Sequence, residues 1–335
     1  MKTNPAPHIR TEQKARHMTM DVLVAAAVLC VFSVFNYGLR PVYIVLFSML
    51  SAIVCEALCC LMRRKSLRTL LDGSAAVTGT IIGLAMSPMV AYWVPMVGSA
   101  FAILVAKAPF GGYGRNVFNP AAAGIAILSY CTPARMFTYP ALGAGMKLPL
   151  TMAISAEDVA IGTSLASQIR AGATPAVNRL HLLLGDFVGP IGATATIVLL
   201  ACAAYFIFRR TASAWTILPY LFTCGFIAWL TPCTSLGVLH SIAAQLCAGY
   251  VLFTGVFLLN DPVTTPRFWL GRVIYGVLTA ALVMLLQRVG RVEAGSCFAI
   301  LIMNTLSPII DRWSYYGWRN ITRLLKIRRE VKAYE

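Results

Sequence analysis

Apolar residues fill this chain in long blocks, and each block ends near a charge, a turn or an aromatic residue. A membrane-crossing helix needs about 20 predominantly apolar residues. Judged by that length, ten blocks predict helices: Asp21–Tyr37, Val42–Leu61, Leu70–Pro88, Tyr92–Ala106, Val117–Cys131, Gly192–Phe208, Trp215–Leu230, Leu236–Leu259, Phe268–Leu286 and Gly295–Ile310. The third, fourth, fifth and tenth are short for a full crossing and several carry Gly or Pro, so broken or tilted helices are expected there. Only one stretch, Thr132–Leu180, is long and polar enough to do chemistry outside lipid. The pattern predicts an all-α polytopic membrane protein with a leading segment 1–20, spans one to five within 21–131, a loop at 132–180, spans six to ten within 181–310 and a basic tail at 311–335. Residues 1–19 lack a short apolar segment followed by a small-residue cleavage site, so the first span is expected to stay in the mature protein.

Composition agrees with the pattern. A mean hydropathy of +0.74 with 12% charged residues excludes an ordinary soluble globule, where charged residues run near a quarter. The net charge of +16 reads as topology. With the N-terminus inside, 21 of the 28 Lys and Arg fall on inside segments and seven outside, four of those in the long loop. The positive-inside rule then puts both termini in the cytoplasm and the Thr132–Leu180 loop outside. Basic loops and tail facing anionic membrane lipid account for the charge without nucleic acid, because the basic groups are spread over many short connections. The ten cysteines form no framework, and Cys55-x3-Cys59-Cys60 is the one cluster sharing a helix face.

Two halves of the chain echo each other. Thr78-Gly79 is followed by Pro88, Trp93 and Asn119, and Thr254-Gly255 by Pro262, Trp269 and Glu293. Pro88 to Asn119 and Pro262 to Glu293 are both 31 positions. Five spans separate the two units, so they would sit in opposite orientations, as inverted repeats with a midplane site do. Acids lie near or within these spans: Glu56, Asp72, Asp261, Glu293 and Asp311. A carboxylate in hydrocarbon costs a few kcal/mol, so such groups face a cavity, an ion path or a partner charge. Asp72 and Asp261, at the inner ends of repeat-related spans, are the candidate ion-path residues.

Two further segments carry candidate chemistry. In Gly111–Pro120 (GGYGRNVFNP), glycines allow close backbone approach to a flat ligand, and Asn116 and Asn119 offer donors and acceptors for a ring edge or a quinone carbonyl. A tight turn capped by Asn before a Pro at the first helical position explains the same residues. In the long loop, Glu157–Leu165 (EDVAIGTSL) places two acids upstream of a threonine beside glycine, an accessible point for covalent attachment.

Four stretches together resemble one family: Gly111–Gly124 (GGYGRNVFNPAAAG), Leu182–Thr196 (LLLGDFVGPIGATAT), Asn260–Pro266 (NDPVTTP) and Phe298–Asp311 (FAILIMNTLSPIID). They are similar to the D-type subunit of Rnf electron-transport complexes and, more distantly, to the B-type subunit of the sodium-translocating NADH:quinone oxidoreductase. The resemblance implies a multi-pass subunit of the cell's inner (plasma) membrane, acting with the other complex subunits to couple ferredoxin/NAD-type electron flow to Na⁺ or H⁺ transport. It implies FMN esterified through its phosphate to an extracytoplasmic threonine by a separate flavin transferase. Riboflavin, as a second and noncovalent flavin near Asn116 and Asn119, is compatible with it.

The family's attachment motif runs acid-x-x-(Ser/Thr)-(Gly/Ala)-Ala-Thr-Pro-Leu. Glu157–Leu165 fits it with Thr163 as the attachment residue, departing at Ala160, Ile161, Gly162 and Ser164. Thr174, in Gly172-Ala173-Thr174-Pro175, copies the tetrad better but has Gln168 in place of the acid, and is the second choice. Thr194 opens a span and is expected to be poorly exposed. A small-solute channel or secondary transporter with inverted repeats is the competing function class. A pore has no need of an acid-to-threonine pattern on a loop of this length.

Overall fold

The computed structural model describes residues 15–64, 66–143, 148–152, 154, 159–175, 177–233, 237–290 and 293–334. Glu157 and Asp158, the acids of the loop motif, lie outside the described residues.

The first half runs α1 (Ala15–Tyr37), α2 (Arg40–Met62), a 3-10 turn (Leu67–Asp72), α3 (Ser74–Leu84), α4 (Trp93–Phe101) continuing as a π-turn (Ala102–Lys107), and α5 (Pro120–Cys131). The long loop carries α6 (Pro133–Met136), β1 (Tyr139–Pro140), β2 (Ile161–Gly162) and α7 (Leu165–Arg170), with α8 (Arg179–Leu184) at its end. The second half follows with α9 (Thr196–Phe208), α10 (Ala214–Leu230), α11 (Val238–Cys247), α12 (Val251–Phe253) continuing as a π-turn (Thr254–Leu258), α13 (Trp269–Val289) and α14 (Gly295–Tyr334).

Among the described residues, three helices are long and apolar enough to cross a membrane, Arg16–Tyr37, Arg40–Met62 and Trp269–Val289. A fourth crossing is made if α11 and the α12 segment, bent by 65°, count as one. Their exteriors are apolar. On α1, Met20, Val24, Val28, Val31 and Phe35 recur every three or four residues and are exposed, while Ala25, Ala26 and Leu29 behind them are buried. On α10 the exposed stripe is Trp215, Leu218, Phe222, Phe226 and Trp229. Apolar stripes of that extent are unfavourable in water and suit lipid. The chain is a mostly helical, polytopic membrane protein.

The predicted short and broken elements have specific causes. The third block is interrupted: α3 stops at Leu84 and the backbone runs non-helically to Tyr92 around Pro88. The eighth bends where Gly249 takes φ 57°, a left-handed conformation that costs glycine little. The sixth starts four residues later than its apolar pattern, at Thr196. The tenth is not short: α14 is 40 residues long and passes position 310 unbroken, with Pro308 inside it.

Within each half the repeated Thr-Gly pair meets an equivalent neighbour. A Cβ on Gly79 would fall 2.6 Å from the Met49 Cα of α2, and one on Gly255 would fall 2.7 Å from the Tyr220 ring of α10. The breaks also meet each other. The Ile191 N–H donates to the Met86 carbonyl (2.9 Å) and the Gly192 N–H to that of Leu84 (2.7 Å). The Tyr250 hydroxyl donates to the Ala85 carbonyl (2.7 Å). Backbone groups freed by the breaks are thereby satisfied inside the protein, as an apolar surround requires.

Polar contacts sort the connections into two ends. At one, the Thr19 hydroxyl donates to the Asp72 carbonyl (2.7 Å), and Asp21 accepts from Tyr205 (3.0 Å), Arg209 (3.2 Å) and Thr211 (2.6 Å). At the other, Arg40 holds Pro149 and Thr151, the Tyr139 hydroxyl donates to Glu293 (3.1 Å), and the His240 Nε2 lies 2.7 Å from the Val177 carbonyl. The first end gathers the start of α1 and the connections after α2 and α9. The second gathers the α1–α2 turn, the long loop and the α13–α14 turn.

Candidate functional site

The glycine-rich connection and the Asn260-Asp261-Pro262 turn fold into one cleft at the first end, lined among others by Ser74, Lys107, Tyr113, Asn116, Asn119 and Asp261. Asn119 is buried and caps α5: its Oδ1 accepts from the N–H groups of Ala121 (3.0 Å) and Ala122 (3.2 Å), with Pro120 next in the helix. Its Nδ2 donates to the Leu258 carbonyl at 2.9 Å. The Asn119 amide is therefore committed to the fold, and it joins the two halves. Asn116 donates from Nδ2 to the Phe118 carbonyl (3.0 Å) and to Asp261 Oδ2 (3.3 Å), and its Oδ1 makes no hydrogen bond among the described residues. Asp261 also accepts from the Val263 N–H (3.2 Å) and the Thr264 hydroxyl (3.3 Å), which fixes the turn that breaks the chain between the π-turn and α13.

Asp72 stands apart from Asp261. Its Oδ1 accepts from the N–H (3.0 Å) and hydroxyl (2.8 Å) of Ser74 at the start of α3. Ser74 in turn accepts from Lys107 Nζ at 2.6 Å, and Lys107 is ion-paired with Glu56 of α2 at 2.6 Å. The Lys107 side chain is 3% exposed and that of Glu56 13%. Asp72 and Glu56 face a second space, shared with Cys59, Cys60 and Arg63, and Lys107 and Tyr113 line both spaces. The structure brings Asn116, Asn119 and Asp261 together and sets Asp72 behind Lys107. In the sequence Lys107 registers only as an inside positive charge; the signal that marks it is a lone ammonium between Ala102–Ala106 and the glycine-rich turn.

At the second end, β1 and β2 pair antiparallel with Tyr139 opposite Gly162 and Pro140 opposite Ile161. Thr163 follows β2 directly and is exposed. Gln168 Nε2 donates to both its Oγ1 and its carbonyl at 3.1 Å. Next to it, Ser164 caps α7, accepting from the Ser167 N–H at 3.1 Å, and donates its own hydroxyl to Glu293. Glu293 is buried, and burial pushes its carboxyl up from the ordinary range, opposed by the hydrogen bonds from Ser164 and Tyr139. Thr163 thus presents an exposed hydroxyl on a segment pinned from both sides. Thr174 is also exposed and makes no side-chain hydrogen bond among the described residues, whereas Thr194 is 1% exposed. Arg40, which the sequence offered only as an outside charge, is wholly buried, and its guanidinium is surrounded by backbone carbonyls.

The profile of the family described as "NQR2, RnfD, RnfE family" matches residues 2–316. The chain belongs to this family. Among the relatives it is similar to is the D-type subunit of the proton-translocating ferredoxin:NAD(+) oxidoreductase complex of Clostridium ljungdahlii, 28% identical over 309 residues, covering 92% of this chain and 93% of the relative. The D-type subunit of the Na(+)-translocating ferredoxin:NAD(+) oxidoreductase complex of Acetobacterium woodii is 27% identical over 334 residues, covering 99% and 98%. That of an ion-translocating oxidoreductase complex of Stutzerimonas stutzeri is 29% identical over 318 residues, covering 88% of each chain. The resemblance carried by the glycine-rich turn, the Asn-Asp-Pro turn and the start of α14 is therefore a relationship along almost the full chain of this family's members.

Proposed function

We propose that this chain is the D-type membrane subunit of an ion-translocating ferredoxin:NAD-type oxidoreductase complex, working with the other subunits in the cell's inner membrane. Both termini face the cytoplasm and the long loop faces out. FMN is joined by a phosphoester to Thr163, loaded by a flavin transferase, and electron flow through it is coupled to Na⁺ or H⁺ movement. The observation that carries this reading is the end-to-end match to subunits so named, over more than 300 residues. Two features of the chain support the finer points.

The first is the fit of Thr163 to an attached phosphate. Gln168 donates to the threonine Oγ1, which leaves the hydroxyl hydrogen directed away from it and the oxygen reachable from solvent. The β1–β2 pair and the Ser164–Glu293 bond hold the flanking backbone, so a group attached there keeps a defined position. FMN, when bound, supplies one- and two-electron transfer. The second feature is the cleft at the other end, where the amide oxygens of Asn116 and Asn260 accept no hydrogen bond among the described residues and so have acceptor capacity left for a flat polar ring such as riboflavin. The two ends are set on opposite faces of a hydrocarbon layer ~30 Å thick.

The test is in-gel ultraviolet fluorescence of the denatured protein, which only a covalent flavin survives. Wild type should fluoresce and its tryptic peptide ending at Arg170 should carry the FMN mass. Thr163→Val keeps the β-branched shape and should lose both signals, while Thr174→Val keeps them. Fluorescence that follows Thr174 would move the attachment to the next peptide. A dark wild-type band from cells with a working transferase would sink the covalent relay.

A further inference from the structure

Beside the cleft at Asn116, at the same end, lies another space framed by the α9–α10 turn and the turn before α13. Arg210, Arg267 and Arg272 line it, and among the described residues no Asp or Glu does. None of the three arginines is ion-paired among the described residues. Arg272 Nε donates to the Pro266 carbonyl (3.0 Å), which aligns the guanidinium and leaves its terminal nitrogens for another acceptor. The nearby acids are committed elsewhere: Asp21 to Arg209 and Thr211, and Asp311 to the backbone N–H groups of Arg267 (3.1 Å) and Phe268 (2.8 Å). Arg210 is held there at φ 57°, an unusual conformation for a residue with a Cβ.

The opening turn of the 17-residue helix α10 forms one wall, and Ser213 precedes it without a side-chain capping bond. The Thr216 N–H turns back to the Ser213 carbonyl (3.0 Å), and the amides of Ala214 and Trp215, which make no bond among the described residues, remain available to an anion at the positive end of the helix dipole. An independent observation points the same way. Thr216 lines this space, is 1% exposed, and its hydroxyl is buried with no hydrogen-bond partner among the described residues. A buried orphan hydroxyl is unfavourable unless a ligand supplies the partner.

We infer that this space is a phosphate-binding site, in which Arg210, Arg267 and Arg272 neutralise the anion while Thr216 and the first amides of α10 donate to its oxygens. Planar guanidinium groups match phosphate oxygens in pairs, which ammonium groups do not. The geometry favours the head group of an anionic phospholipid as the source. Trp215 and Trp269 pack with ring centroids 5.5 Å apart, both exposed, where residues of this type mark the edge of the hydrocarbon. The space shares Met18, Thr211, Asn260 and Pro262 with the neighbouring cleft, so its occupant would brace the Asn260–Pro262 turn.

The test titrates purified full-length protein in neutral detergent with phosphatidylglycerol, read by native mass spectrometry, and separately with inorganic phosphate, read by calorimetry. Phosphatidylglycerol should bind saturably. The Arg210→Gln, Arg267→Gln, Arg272→Gln triple variant should bind it at least about 100-fold more weakly, and Thr216→Val about 3- to 10-fold more weakly. Arg312→Gln, which removes one charge from the same face, should leave binding unchanged. Saturable binding of inorganic phosphate that the triple variant loses, with phosphatidylglycerol indifferent, would uphold the anion site and assign it to a soluble phosphate. Equal binding of both probes by wild type and triple variant overturns the proposal. Should the triple variant not purify as a single species, Thr216→Val decides, because it removes a hydroxyl with no partner among the described residues; undiminished binding in that variant refutes the site.

Discussion

Arg40 is the sharpest place to test how this protein holds its loop. The side chain is 0% exposed, and every acceptor it uses among the described residues is a neutral oxygen. Nε donates to the Pro88 carbonyl (2.8 Å), Nη1 to Pro149 (2.7 Å) and Thr151 (2.7 Å), and Nη2 to Val90 (3.0 Å). The guanidinium also lies over the Tyr92 ring, 4.8 Å from its centroid. One side chain thus ties the break after α3 to the loop segment at 149–151. Arg40→Ala leaves four carbonyls to find water. Each orphaned group costs about 1–3 kcal/mol, but water entering the vacated space and relief from burying a cation offset part of that. A net loss of roughly 3–5 kcal/mol is expected, the range seen when one partner of a buried charged contact is removed. At about 2 °C per kcal/mol for a chain of this size, the apparent melting midpoint should fall by roughly 6–10 °C. Arg40→Lys has three donors on one nitrogen and cannot span the same carbonyls, so it should recover less than half of the loss. The assay is heating in detergent followed by size-exclusion chromatography at matched heating rate. A midpoint for Arg40→Ala within about 2 °C of wild type would mean that the carbonyl cage contributes nothing net.

Other predictions concern charge and topology. Lys107→Met should destabilise by about 3–5 kcal/mol by stranding Glu56, and adding Glu56→Gln should restore much of it, giving a coupling of the two sites in a double-mutant cycle of thermal midpoints. Simple additivity would refute the pair. Asp72→Asn and Asp261→Asn keep size and hydrogen-bonding capacity, so assembly and flavin content should persist while ions moved per electron fall in proteoliposomes; unchanged ratios in both variants would make these acids structural. A reporter active only outside the cytoplasm should work when fused after Pro140 and stay silent after Arg210 or at Glu335, and activity at Glu335 would overturn the orientation.

The positions of the apolar blocks were legible because hydrocarbon demands length and composition, and both are local properties of the chain. The breaks were legible only in kind: Pro88 and Gly249 signal interruption, but the partners that satisfy the freed backbone, Ile191, Gly192 and Tyr250, come from far along the chain. The length of α14 escaped because its apolar pattern ends near Ile310, Asp311–Asn320 is poor in strong helix formers and includes Gly317, and the Leu, Lys and Arg that favour helix resume only from Arg323. At the site, Asn119 reads equally as ligand or cap, and the structure gives its amide to the cap. Arg40, Lys107 and Ser164 were invisible as site residues because each draws its meaning from a partner 48, 51 or 129 positions away.

Under the proposed function, the meeting of the two breaks sets a voltage scale. Three hydrogen bonds, Ile191 to Met86, Gly192 to Leu84 and Tyr250 to Ala85, join the two breaks. On that reading an ion passing here would need these bonds parted, whereas an electron can tunnel through packed side chains. Unmaking three buried bonds costs about 3–9 kcal/mol. At about 2.3 kcal/mol per elementary charge per 100 mV, that is the work of one electron falling through roughly 130–390 mV. Under the coupling proposed above, a redox drop of that size would match the work of one such opening, and reclosing returns that work.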